Sequence, residues 1–489
     1  FQGSPRRLAE YGLEDRAYEI TYNATMCARR AADRYSTPEH PRFVAGSIGP
    51  TGALPSSEDP VLGAVTFQEL EENAFVQAKA FVDAGADVII IETQIDMLET
   101  KAMIFGCVRA FEETGKRLPI QCQVTLDTSG RMLFGTDIAA ALTTLEALPI
   151  DLIGLNCSTG PDYMREPIRY LCERSSLPVT CIPNAGLPLN VDGQACYPLE
   201  PEPMARELAA FVEEFGVNIV GGCCGSTPEH IAWLVELVGD HPPKERQVPY
   251  VPSVSSALRS FTLEQDPAPL IIGERVNSQG SRMAKRALLK DDYDALLRIA
   301  REQVEGGAHA LDVAVAMTER TDEAAQMQTL VKKLAMSVEA PLVIDTTDAA
   351  VVKAALEQYP GRAILNSINL ENREERIDKW VPLMKAHGAA AVALCIDDRG
   401  QATTADWKLE AAQKIYDIVC GEYQLPPDAL IFDALTLPVT TGQEDLRNAA
   451  VETLEGIKKI KGAMPGVLTA LGVSNLSFGL SPHARAVLN

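Results

Sequence analysis

The sequence predicts an α/β protein built from two (β/α)8 TIM-type barrels in tandem, and three observations carry that reading. Short runs rich in β-branched residues alternate, almost from end to end, with longer stretches whose apolar residues recur at helical spacing. The short runs are continuously apolar, as in parallel strands buried on both faces, and lack the alternation of half-exposed antiparallel strands. The rhythm breaks at residues 241–265, where proline, serine and charge take over. At 489 residues the chain is also too long for one ordinary core, so two large domains fit it.

Residues 1–240 form the first expected domain. Strands are expected at "RFVAGSIGP", "DVIIIET", "IQCQVTLD", "DLIGLNCS", "PVTCIPNAG" and "NIVGGCCG", separated by helical patterns such as "FQELEENAFVQAKAFVDAG". Residues 241–265 read as a linker, and 266–489 as the second domain. Its strands are expected at "LIIGERVN", "HALDVAVA", "PLVIDTTD", "AILNSIN", "AAVALCIDD", "LIFDALT" and "LTALGVSNLS". A closed barrel needs eight strands, so each domain is expected to lack terminal strands in this chain: N-terminal ones in the first, the C-terminal end in the second. The opening "FQGSPRRL", without an initiator Met, fits a fragment. Doubly wound sheets are the alternative that the same βα alternation allows.

A formal charge of −23 argues against a nucleic-acid or anionic-membrane partner, because lysine and arginine supply that affinity. No apolar stretch is long enough to span a bilayer. The 11 cysteines are odd in number and lack the dense spacing of a secreted disulfide scaffold, so a reducing, cytoplasmic location is expected.

Chemistry in such barrels gathers where strands end. Polar and sulfur residues fall at those ends: Glu92, Asp127, Asn156, Cys157, Asn184, Cys223 and Cys224, then Asn277, Asp312, Asp345, Asn366, Asp397, Asp433 and Asn475. The adjacent Cys223 and Cys224 make a poor disulfide, since neighbouring Cα atoms sit about 3.8 Å apart, below the usual window of roughly 4.4–6.8 Å. Cys157 ends one strand and the pair ends the strand two places on, so three sulfurs can converge on one barrel mouth. Three thiolates suit Zn²⁺, and three protein ligands leave the fourth tetrahedral position open for a thiol substrate. The competing reading is three small buried hydrophobes.

The motifs "GLNCSTGP", "PNAGLP" and "NIVGGCCGSTPEHI" closely resemble the homocysteine-binding zinc domain of the cobalamin-dependent methionine synthase family, and more loosely betaine–homocysteine methyltransferases. "GERVNSQGSR", "IDTTD", "ILNSI", "IFDALT" and "GVSNLSF" resemble the pterin-binding barrel that follows it. The resemblance implies that Cys157, Cys223 and Cys224 hold zinc, with homocysteine sulfur as fourth ligand and Glu92 and Asn156 at the substrate. A helix N-terminal charge is the plainer reading of Glu92. It further implies that Gly280, Ser281, Arg282, Asp345, Asn366, Asp433, Asn475 and Arg485 bind methyltetrahydrofolate, with Asn475 hydrogen-bonding N5. Helix capping is the plainer reading of any single Asp or Asn among them. The implied reaction carries a methyl group from 5-methyltetrahydrofolate through cob(I)alamin and methylcobalamin to homocysteine. The cobalamin would be held by a corrinoid-binding domain or protein outside this chain. A folate–corrinoid methyltransferase with another thiol acceptor, or a non-catalytic folate- and zinc-binding module, are the alternatives. The chain departs from the family pattern at Leu435 and Ala314, where Asn is usual, and "FGLSPHAR" is shorter than the common form and lacks an additional Arg.

Overall fold

The computed structural model describes every residue except 240, 242–243, 439, 441–445 and 489; part of the expected linker, residues 242–243, thus lies outside the description. The chain divides into two compact units. The first comprises Phe1–Thr262 with Ala335–Glu339 and Glu357–Gly361, and the second the remainder.

In the first unit the strands are β1 (Ala45–Ile48), β2 (Val88–Gln94), β3 (Ile120–Val124), β4 (Leu152–Asn156), β5 (Val179–Ile182) and β8 (Ile219–Val220), with a small hairpin, β6 (Leu189–Val191) and β7 (Gln194–Cys196), between the last two. All six pair in parallel in the order β1-β2-β3-β4-β5-β8. Strand order follows chain order without reversal. A doubly wound sheet reverses at a switch point, so the barrel alternative is the one the chain adopts. In β3, β4 and β5 the continuous apolar runs bury both faces almost throughout, with every residue of β3 buried, and Ile89, Ile91, Ile120, Cys122, Ile153, Leu155 and Cys181 share one core with the surrounding helices. Caps set the helix starts. Thr66 and Glu69 make a reciprocal capping box for Phe67–Asp83, and Asp96 caps Met97–Thr114.

Part of the linker stretch has structure of its own. A hairpin of β9 (Ser253–Ser255) and β10 (Ser260–Thr262) lies within the first unit. Its serines find partners on the helix Ile138–Leu145: Thr143 Oγ1 lies 2.7 Å from Ser260 Oγ and Thr144 Oγ1 2.9 Å from Ser255 Oγ. The serine-rich composition that reads as a flexible connection supplies hydroxyl pairs instead.

The second unit repeats the plan. Its strands β11 (Ile272–Asn277), β12 (Ala310–Ala314), β13 (Leu342–Asp345), β14 (Ile364–Ile368), β15 (Ala390–Leu394), β18 (Leu430–Asp433) and β19 (Leu468–Ala470) pair in parallel, again in chain order; a two-stranded ribbon, β16 (Ile396–Asp397) and β17 (Gly400–Gln401), interrupts between β15 and β18. Leu311, Val313, Ile344, Leu365 and Phe432 are fully buried or nearly so. Both units are therefore TIM-type (β/α) sheets, of six and seven parallel strands among the described residues. Because each sheet is parallel, all carboxyl ends within a unit lie along one edge, where the polar residues expected from the sequence sit. No helix among the described residues is long and apolar enough to cross a membrane.

Candidate active site

The thiols of the first unit converge. Cys157 Sγ and Cys223 Sγ each lie 3.9 Å from Cys224 Sγ, and all three sulfurs lie within 4.8 Å of one another. A tetrahedral zinc with Zn–S bonds near 2.3 Å separates its sulfurs by about 3.8 Å, so the donor set matches that ion in both chemistry and spacing. The end of β5 holds both cysteine loops. Cys157 N donates to Ile182 O at 3.2 Å and Cys223 N to Pro183 O at 2.7 Å. Cys224 N donates to Asn184 Oδ1 at 3.1 Å, and Cys224 O accepts from Ala185 N at 2.9 Å.

Conformation is bent to make the turn. Cys157 and Ser158 take φ of 60° and 64°, successive left-handed positions that cost an L-residue roughly 1–2 kcal/mol each. Gly225 follows Cys224 at φ 81°, and a Cβ there would fall 2.4 Å from the Tyr197 side chain. The reading of the trio as buried hydrophobes fails: Cys157 and Cys223 are half-buried and Cys224 is exposed, whereas Cys107, Cys122, Cys172 and Cys181 fill the core. Their proton affinities also separate. The hydrogen bond with Cys223 pulls the Cys157 thiol down to about 6; the same bond pushes Cys223 up, and burial raises Cys224. One thiolate held by neighbouring S–H groups is the state that a soft cation replaces.

Beside the sulfurs stands a carboxylate–amide pair. Asn156 Nδ2 donates to Glu92 Oε2 at 3.0 Å and to Thr93 Oγ1 at 2.9 Å, and lies 3.9 Å from Cys223 Sγ. Its Oδ1 accepts from Thr93 N at 2.8 Å, which holds Thr93 at φ 59°. Ser47 Oγ donates to Glu92 Oε1 at 2.5 Å. Glu92 lies within β2 and outside the first turn of the helix Met97–Thr114, whose N-terminal acidic residue is Glu99.

In the second unit, Asn277, Asp312, Asp345 and Asn366 form one network. Asn277 Nδ2 donates to Asp312 Oδ2 at 2.7 Å and to Asp345 Oδ2 at 3.0 Å, and Asn366 Nδ2 reaches Asp312 Oδ1 at 3.3 Å. Burial, then the Asp345 charge, pushes Asp312 up to about 7. Burial also raises Asp345 and Asp433. Asp433 and Asn475 line a common cavity of about 240 Å³ with Gln401, Leu435, Thr436 and Phe478.

Residues 1–238 match the homocysteine S-methyltransferase family, and residues 273–489 match the pterin binding enzyme family. Over 485 residues the chain is 42% identical to methionine synthase of Mycobacterium tuberculosis (strain ATCC 25618 / H37Rv), covering 99% of this chain and 40% of that protein. Identity to methionine synthase of Mycobacterium leprae (strain TN) is 41% over 490 residues, with the same coverage. Almost the whole of this chain is thus similar to methionine synthases. It spans about two fifths of the length of these curated relatives. Among solved structures, it aligns with the metallated form of the homocysteine methyltransferase MmuM from Escherichia coli at 23% identity and TM-score 0.38, over 48% of this chain and 76% of that one. It also aligns with dihydropteroate synthase from Xanthomonas albilineans in complex with 7,8-dihydropteroate at 17% identity and TM-score 0.34, over 48% and 85%.

The other residues expected from the sequence are placed as follows. Gly280 N donates to Asn277 Oδ1 at 3.0 Å. Ser281 caps the helix Arg282–Leu288 with its hydroxyl oxygen, and the Arg282 side chain is exposed. Arg485 Nε donates to Ser477 Oγ at 3.3 Å. Asp127 and Asp397 are occupied elsewhere: Asp127 closes a turn with Ser129 and Arg131, and Asp397 pairs with Arg399 and Lys414. The sequence names Asn277 and Asp312 only as strand-end residues, although they join Asp345 to Asn366. Ser47 is missed altogether; its place on the strand beside β2 is the signal that finds it, through the pairing Ser47↔Ile90 two residues before Glu92.

Proposed function

We propose that this chain carries two substrate sites of a methyl transfer from 5-methyltetrahydrofolate to homocysteine, giving methionine and tetrahydrofolate. The observation that carries the reading is the thiol trio at tetrahedral-edge spacing beside the Glu92–Asn156 pair. Cys157, Cys223 and Cys224 would hold Zn²⁺, which when bound lowers the pKa of a thiol ligand and keeps its sulfur nucleophilic. Glu92, steadied by Ser47 and Asn156, takes the α-ammonium of homocysteine and so aims its sulfur at the trio. In the second unit Asp345, Asn366 and Asp433 take the donor–acceptor edge of the pterin. Asn475 hydrogen-bonds N5 as that nitrogen gains a proton, and Gly280, Ser281, Arg282 and Arg485 complete the folate site. The methyl carrier is a corrinoid, cobalamin, presented by a corrinoid-binding domain or protein. Eleven cysteines, none in a disulfide, fit a reducing cytoplasm.

Zinc K-edge absorption with and without homocysteine tests the reading. A shell of three sulfurs that gains a fourth on adding homocysteine is the expected result. A metal-free protein, or a four-sulfur shell indifferent to homocysteine, overturns it.

A further inference from the structure

Behind the 240 Å³ cavity of the second unit lies a lysine that the proposed chemistry does not use. Lys408, on the helix Ala405–Tyr416, is 1% exposed. Its Nζ donates to three backbone carbonyls: Ala402 O at 2.8 Å, Ala434 O at 2.5 Å and Leu435 O at 3.2 Å. An ammonium has three N–H donors, and all three are spent. Burying a charge is costly unless it is matched in this way, so the arrangement selects what those carbonyls belong to. Ala402 follows Gln401, and Ala434 and Leu435 follow Asp433; Gln401, Asp433 and Leu435 all line the cavity.

Leu435 is the strained member. It sits at φ 58°, a left-handed position that a leucine seldom takes. Its N–H donates to Asp433 Oδ1 at 2.7 Å, and its carbonyl accepts from both Lys408 and Thr453 Oγ1, the latter at 2.8 Å. The carboxylate of Asp433 is thereby aimed by an amide whose own peptide is pinned from behind. Space for the lysine stem comes from Gly456, where a Cβ would lie 2.8 Å from Lys408 Cδ.

We propose that Lys408 is a positioning residue of the pterin pocket: it ties the backbone after Gln401 to the backbone after Asp433 and holds Leu435 in the left-handed turn that orients the Asp433 carboxylate. The proposal rests on the folate reading of this cavity.

The test is the Kd of 5-methyltetrahydrofolate, measured by calorimetry on the whole chain, with melting curves for each variant. Wild type is measured first, because its failure to bind overturns the folate reading itself and the proposal with it. Given binding, Lys408→Met keeps the stem and removes the donors, and a loss of tenfold or more is expected. Adding Leu435→Asn, which tolerates the left-handed turn unaided, is expected to recover most of that loss. Leu435→Asn is also measured alone, because an asparagine that touches the ligand raises affinity with Lys408 present as well, whereas relief of the turn does so only without it. Wild-type affinity in Lys408→Met overturns the proposal, as does a loss that Leu435→Asn leaves untouched. Should Lys408→Met fail to fold, Gly456→Ala, which displaces the stem and keeps every polar group, decides: several-fold weaker binding supports the proposal and unchanged binding overturns it.

Discussion

Asn156 and Glu92, 64 residues apart in sequence, meet at the ends of strands β4 and β2 through a 3.0 Å hydrogen bond from Nδ2 to Oε2. The same amide holds Thr93 through its N–H and hydroxyl, and faces Cys223 Sγ at 3.9 Å. One side chain therefore fixes the carboxylate relative to the sulfurs. On the proposed reading, that fixed offset would place the ammonium of homocysteine at Glu92 and its thiol at the sulfurs.

Asn156→Ala separates those roles. It leaves Thr93 N–H without its acceptor and Glu92 without one donor, which costs about 1–3 kcal/mol of stability. Homocysteine affinity is expected to fall about tenfold, or about 1.4 kcal/mol, with zinc stoichiometry retained. Calorimetry and metal analysis on the same sample check it; loss of zinc together with homocysteine would show that Asn156 supports the metal loops and not the offset.

Zinc content should respond to Cys224→Ser, and not to Cys27→Ser, since both residues are exposed but only one belongs to the trio. A metal held only by the folded state stabilises it by about 4 kcal/mol when free metal is a thousandfold above Kd. Chelation is therefore expected to lower the melting temperature of wild type and of Cys27→Ser, and to leave Cys224→Ser, already depleted, almost unchanged.

Asp312 gives the second unit a pH signature. Its folded pKa is raised to about 7 from an ordinary value of 3.8. A carboxyl raised on folding contributes stability that is full below about pH 4 and is lost as pH climbs through about 7, by at most about 4 kcal/mol. The urea midpoint of this unit should fall from pH 5 to pH 8, and Asp312→Asn should flatten the slope. Trp380 and Trp407 fluorescence in a Trp233→Phe background reads it; an unchanged slope in Asp312→Asn assigns the titration to other groups.

The alternation of strands and helices is legible because a buried parallel strand is a local pattern, and β3 and β12, buried at every residue, show it plainly. The cysteine trio is legible for a different reason: each sulfur sits at a strand end, and parallel strands put their ends on one edge. Lys408 is not legible. On an amphipathic helix a lysine reads as solvent-facing, and only tertiary placement shows its ammonium under three carbonyls that no local pattern marks. Nor is the hairpin at 253–262, because serine and proline look alike in a connection and in a short ribbon stitched by hydroxyls. Leu435 is not legible either: its left-handed turn at φ 58° falls on a residue type that gives no local sign of it.

Gly225 offers the sharpest test of how the thiol turn is made, because two separate causes forbid a side chain there. At φ 81° an L-residue pays roughly 1–2 kcal/mol for conformation alone. Independently, its Cβ would stand 2.4 Å from Tyr197, so the ring must move. Gly225→Ala is therefore expected to weaken zinc binding by tenfold or more, since Cys224, next in the chain, cannot keep its 3.9 Å distances to both other sulfurs. Combining it with Tyr197→Ala removes the collision and leaves the conformational cost, so affinity should recover in part and remain below that of Tyr197→Ala alone. A competition titration against a chromophoric chelator measures all four proteins. Full recovery in the double variant would mean that the ring alone demands glycine, and no recovery would mean that the left-handed turn alone does.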